Sequence, residues 1–240
     1  MIFQTRSIVL CRIPFKENSF LVKLLTDNLG IISVIVQGAR KTVSPFFSQF
    51  EIGNCLAVHI IKTRTSDLSI LKDSVIIKCS DFSKCSYLQL LALQSATEIF
   101  SQIEIPEYES EIFYDLLLTY LDFLPSVKSN HLLIIWRFLL RLTELLGFPL
   151  AQKKDGRYIF YENYDALSNA TIDGIERQII DNWFNILPVA GKYIDAPNIL
   201  NSSCILINKM IINWFATNLN KRINFKTLEM YEEYVLQKND

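Results

Sequence analysis

The chain has 240 residues, half of them hydrophobic and 12% aromatic, with only seven glycines and seven prolines. That composition excludes a disordered or low-complexity chain and supplies core material for two small domains or one large one. The formal net charge of −1 argues at first against a nucleic-acid protein, but residues 1–80 carry ten Lys/Arg against five Asp/Glu, and residues 81–240 fourteen against twenty. A basic first third on an acidic remainder fits a polyanion-binding module joined to a carrier, and ordinary surface variation is the bland alternative.

In chain order, Gln4 to Arg12 reads as a first strand, ended by Ile13-Pro14 because proline gives the ladder no N–H. Lys16-Glu17-Asn18 is a polar loop. Phe20–Thr26 and Ile31–Gln37 are β-rich runs around Asp27-Asn28-Leu29-Gly30, which carries turn chemistry. Gly38-Ala39-Arg40-Lys41 breaks the second run and delivers two cations at a strand end. Lys41 to Phe50 is a loop or short helix. Cys55 to Thr63 is a further strand, Arg64 to Asp67 a turn, and Leu68–Leu71 with Val75–Lys78 bring the chain back. Short strands at turn spacing without a helical crossover predict a small barrel. The five-stranded OB-fold is the leading candidate and an SH3-like barrel the alternative from pattern alone.

After about Ser80 the period changes to that of helices. Tyr87–Phe100 puts Leu88, Leu91, Ala92, Ser95, Ala96 and Ile99 on one face. Ser110–Leu124 has Ser110 as a candidate N-cap and a stripe of Ile112, Phe113, Leu116, Leu117, Tyr120 and Leu124. His131–Leu146 is apolar nearly all round, with Gly147 and Pro149 as stop signals. Its three charges, Arg137, Arg141 and Glu144, fall on one narrow stripe and argue against a membrane span. Lys153–Tyr161 reads as a charged turn and small hairpin, Thr171–Leu187 as an amphipathic helix, and Ser203–Leu219 and Lys226–Leu236 as two more. The expected division is a barrel over 1–80 and a helical domain over 81–240.

Within this pattern the stretch Ser7 to Phe47 resembles the N-terminal domain of the RecO family of bacterial recombination mediators. The matching marks are the strand ending at Leu10, Lys16-Glu17-Asn18-Ser19, Thr26 before the turn, Gly30, Gly38-Ala39-Arg40-Lys41 and Ser44, in order and with the right gaps. The likeness extends with less force to Phe138–Leu150 and to Asn213–Tyr231. It implies an OB-fold that binds, and anneals, single-stranded DNA, followed by a helical domain that recruits partners for recombinase loading. The implied partners are the acidic, apolar-ended tail of single-strand-binding protein and a RecR-type mediator. Many members carry a four-cysteine zinc ribbon after the Gly-Phe-Pro motif. Here Ala151-Gln152-Lys153-Lys154 stands there and no C-x-x-C pair occurs, so the ribbon is read as lost and no structural zinc or other cofactor is expected.

Catalytic signals are weak. His59 and His131 lack a carboxylate or cysteine at triad or ligand spacing, and there is no phosphate-cradling glycine loop, so a non-enzymatic protein is expected. Five scattered cysteines and no visible secretory signal suit a reducing cytoplasm, nucleoid-associated if the resemblance holds. The expected DNA-binding cations are Lys16, Lys23, Arg40, Lys41, Lys62 and Arg64. Phe15, Phe46 and Phe47 are candidate base platforms, with burial in the barrel core as the competing reading. Arg137 and Arg141 suit an anionic partner tail, unless Glu144 already answers them. The near-neutral total charge leaves room for a docking scaffold with weak or no DNA binding.

Overall fold

The computed structural model describes residues 2–41, 43–62, 68–79, 85–128, 131–154, 157–160 and 201–237, without the side chains of 151–206 and 235–237. Alternating apolar residues carry the first part into five strands: β1 (Ile2–Phe15), β2 (Ser19–Thr26), β3 (Ile31–Val36), β4 (Cys55–Lys62) and β5 (Leu68–Lys78). They close into a barrel in the order β1-β2-β3-β5-β4, antiparallel throughout except for the parallel β3–β5 pair. This is the OB-like architecture, and the SH3-like alternative falls away.

The period of two decides what fills the barrel. Val9, Val22, Leu24, Val34, Val58 and Ile60 point inward and are fully buried, with Phe50 of the following loop among them. The residues between them point outward. Ile8, Leu10 and Leu25 are nonetheless buried, because two helices pack on the outside of β1 and β2.

Two strand limits differ from expectation. β1 does not stop at Ile13-Pro14 but runs to Phe15, with Pro14 opposite Phe20. Its pairing with β4 ends at Ile8, so beyond that point one edge has no ladder to disrupt, and proline is tolerated there. β5 is one strand rather than two. A bulge between His59 and Ile60 of β4 leaves Lys72 unmatched, so the polar break at Lys72-Asp73 is absorbed without ending the strand.

Helix α1 (Tyr87–Phe100) begins with a capping box, in which Ser86 accepts from Gln89 N and the Gln89 side chain accepts from Ser86 N. Helix α2 (Ser110–Phe123) buries Phe113, Tyr114, Leu117, Tyr120 and Leu121. Its buried face is rotated from the predicted stripe: Tyr114 is inside and Ile112 is 53% exposed. The β to α transition falls near residue 80, yet both helices belong to the barrel's compact unit, which extends through Lys128.

The second unit, residues 129–240, holds α3 (His131–Leu145), the hairpin β6 (Ala151–Lys154) and β7 (Arg157–Phe160), α4 (Asn201–Asn218) and α5 (Lys226–Gln237). Gly147, at φ +81°, ends α3, with Phe148 N donating to Thr143 O at 3.1 Å. A buried chain ties three helices together: Trp136 Nε1 donates to Asn208 Oδ1 at 2.7 Å, and Asn208 Nδ2 to Glu232 Oε1 at 2.8 Å. Phe215 stacks edge-on against Phe148 and Phe225 at 5.9 and 6.2 Å. The helix expected over Thr171–Leu187 lies outside the described residues. No helix among them is long and apolar enough to cross a membrane.

Candidate nucleic-acid interface

Strand directions sort the candidate cations to two ends of the barrel. β1 and β3 run toward one end and β2 runs back. The β1–β2 loop and the chain after β3 therefore share an end, opposite the β2–β3 turn and the start of β1. At the first end Lys16 sits at φ +52°, an uncommon conformation for a residue with a Cβ. Arg40 holds it there. Its Nη1 donates to Lys16 O at 3.1 Å and Glu17 O at 3.2 Å, and its backbone N to Asn18 O at 3.1 Å. Lys41 follows in a turn made by Gly38 (φ +70°), its N donating to Gly38 O at 3.1 Å. Lys16, Arg40 and Lys41 are all exposed, and Glu17 is the carboxylate among them. Lys72, pushed out by its bulge, is exposed two residues along β5 from Ile70, in line with the end of β3. The sequence gives no sign of that bulge, and Lys72 was not expected at the site.

The opposite end is closed on itself. Thr26 Oγ1 donates to Gly30 O at 2.7 Å and accepts from Leu29 N at 2.9 Å. Ser110, expected to cap α2, instead reaches into this turn. Its Oγ accepts from Gly30 N at 3.0 Å and donates to Thr26 O, while the cap position falls to Glu109 without a side-chain bond. Arg6 Nε and Thr5 Oγ1 each meet the Asp27 carboxylate at 2.7 Å. Burial pushes that carboxyl up, but the bonds from Arg6 and Thr5 and the Arg6 charge outweigh it and hold Asp27 below its ordinary value.

Two expected DNA ligands are engaged away from the open end. Lys23, midway along β2, donates Nζ to Ser101 O at 2.6 Å, where a cation suits the end of α1. Lys62 Nζ lies 2.9 Å from Glu107 Oε1 and 5.3 Å from the Phe3 ring centroid. Arg64 lies outside the described residues. Among the aromatics, Phe46 packs on the barrel core 6.4 Å from Phe50, Phe15 lies under Lys16 Nζ at 5.5 Å, and Phe47 is 48% exposed. In the second unit Arg137 is exposed on α3, while Arg141 pairs with Glu144 at 2.6 Å.

His59 and His131 fall in separate units, and among the described residues no three His, Cys, Asp or Glu are grouped to hold a metal. What the open end offers among the described residues is a group of long, exposed cations, which suits the binding of anions.

Comparison with protein families matches residues 1–79 to the model described as Recombination protein O N terminal. Curated relatives carry the name DNA repair protein RecO. The chain is 29% identical to that of Chlorobaculum parvum over 170 residues, 70% of this chain and 64% of the relative. It is 24% identical to that of Prosthecochloris aestuarii over 148 residues, 62% and 56% of the two chains. Against the Flavobacterium johnsoniae protein it is 23% identical over 252 aligned positions, 97% and 99% of the two. The chain thus spans less than two thirds of the length of the first two relatives and nearly all of the third.

Proposed function

From the match of residues 1–79 to the Recombination protein O N-terminal model and the likeness to proteins named DNA repair protein RecO, we propose that this chain is a RecO-type protein that acts in DNA repair as a non-enzymatic recombination mediator and binds single-stranded DNA on its barrel. The observation that carries the DNA-binding reading is the grouping of Lys16, Arg40 and Lys41 on one rim, while Lys23 and Lys62 answer groups of the protein itself. Arg40 also donates to loop carbonyls, but with Lys16 and Lys41 it is exposed, and exposed cations can meet phosphates. Such contacts release counterions, so binding is sequence-tolerant and falls steeply with salt. Annealing of complementary strands and delivery of recombinase rest on the family alone.

A titration of labelled single-stranded DNA into the full chain at two salt concentrations tests this. With about three phosphate contacts the log–log salt slope is about −2. Absence of binding at low salt removes the reading and leaves a docking scaffold.

The second unit suits partner docking, to the tail of single-strand-binding protein and to a RecR-type mediator. Arg137 and Arg141, both exposed on α3, are the candidates for an anionic tail, and Arg141 also pairs with Glu144. Arg137→Ala should weaken binding of an acidic, apolar-ended peptide, and unchanged affinity removes α3 from that role.

A further inference from the structure

The second half of β5 is an apolar edge without a neighbour. Val75, Ile76 and Ile77 are 63%, 38% and 53% exposed in succession. Ile2 and Ile13 are comparably exposed, but neither has an exposed aliphatic neighbour among the described residues. The cause is how the barrel closes. β3 pairs with β5 at Leu68, Ser69 and Ile70 and then turns away at Gly38, while β4 stays with β5 to Lys78. Among the described residues no strand takes the other edge of β5 beyond Ile70.

An unpaired edge is a template for another strand, and proteins commonly blunt it with charge or proline. Here the charges, Lys72-Asp73 and Lys78, stand only at the two ends of the apolar run. Lys78 is answered by Asp122 of α2. Ser74 N donates to the side chain of its own neighbour Asp73 at 2.8 Å, a local bond that an incoming strand can replace.

The run also says which strand fits. Residues directly opposite in an antiparallel pair share a face, and like charges opposed there repel. In a symmetric pair centred on Val75, Lys72 would oppose Lys78. Centred on Ile77, Ile76 would oppose Lys78, and centred on Ser74, Val75 would oppose Asp73. Centred on Ile76, Val75 of each copy meets Ile77 of the other, Ile76 meets Ile76, and Lys78 meets the neutral Ser74. That register sets the apolar run against itself and leaves no cation opposite a cation.

We propose that this edge pairs with the same edge of a second copy of the chain, β5 antiparallel to β5 about a two-fold axis through Ile76. Each copy spends its own open edge, so the assembly closes at two. The two Lys72 side chains would lie eight residue steps apart along the joined strands, about 27 Å. The pairing does not depend on the polyanion reading, and its test needs no DNA. The patch is small, so a weak dimer is expected, with Kd about 50 µM.

Sedimentation of the full chain and three double variants tests this, with the urea midpoint as the check on folding. At about 200 µM the wild type should run mostly as a dimer and as nothing larger. Val75→Lys with Ile77→Lys opposes like charges at both outer pairs and should weaken the dimer about tenfold or more. Val75→Lys with Ile77→Glu is as polar, but the proposed register sets Lys against Glu at both pairs, so this chain should dimerise again. Mixing the double-lysine chain with a Val75→Glu, Ile77→Glu chain should likewise give a heterodimer. A monomeric wild type, or a wild type that assembles beyond two, overturns the proposal. So does a double-lysine chain that dimerises like wild type. A folded lysine–glutamate chain that stays monomeric overturns the Ile76-centred register.

Discussion

The two ends of the barrel both carry tight turns and cations, and they treat their charges in opposite ways. At the β2–β3 end the polar groups named above meet protein partners: Asp27 answers Arg6, Thr26 and Ser110 take the turn's backbone, and Glu107 answers Lys62. At the β1–β2 end the one strong contact of Arg40 is with loop carbonyls, which fixes Lys16 without neutralising it. A cation spent on a carboxylate stabilises the fold. Lys23 also donates to a carbonyl, but it is half-buried, whereas Arg40, Lys16 and Lys41 are exposed. The difference leaves one end closed on itself and the other with exposed cations.

The sharpest way to break the closed end is Gly30→Ala. Gly30 sits at φ +70°, and a Cβ there would meet Ile105 O at 2.7 Å. Strain and clash together should cost about 3 kcal/mol, read as a lowered urea midpoint, with the salt slope of DNA binding unmoved. Ser110→Ala follows at about 2 kcal/mol, because it leaves the Gly30 N–H without that acceptor in a buried place.

At the open end the expected result inverts. Arg40→Ala with Lys41→Ala should leave the urea midpoint nearly in place but weaken single-strand binding about tenfold. It should also flatten the log–log salt slope by about 1.4, two phosphates' worth. An unchanged slope takes both residues out of the interface.

Asp27 sharpens the comparison through pH. Its folded pKa is depressed, so the stability it contributes is present above its unfolded value and is lost as pH falls through the folded one. Asp27→Asn should be less stable than wild type at pH 7, and the gap should close on acidification below about pH 4. A gap independent of pH would mean that packing, not charge, is at stake. The smallest effect is expected for Lys62→Ala. An exposed pair is worth about 0.5 kcal/mol, and DNA affinity should change less than about twofold. A larger loss would extend the interface to the closed end.

Much of this was legible in the chain itself. The extents of β2 and β3, the glycine at position 30, the start of α1 and the stop at Gly147 all follow from local composition, periodicity and backbone preference, which neighbouring residues suffice to determine. Legible too was the cationic run Gly38–Lys41. What the strand pattern missed came from partners distant in sequence. Pro14 stayed in β1 because β4 had already left that edge. Ser110 abandoned its helix cap because the β2–β3 turn, 80 positions away, offered buried donors and acceptors.

The sequence by itself determined that a basic five-stranded domain precedes acidic helices, because strand period, turn chemistry and charge are properties of short stretches. Only the tertiary structure decided which cations remain open. Lys23 and Lys62 look no different from Lys16 and Lys41 along the chain, and it is the arrival of Ser101 and Glu107 from outside the barrel that engages them.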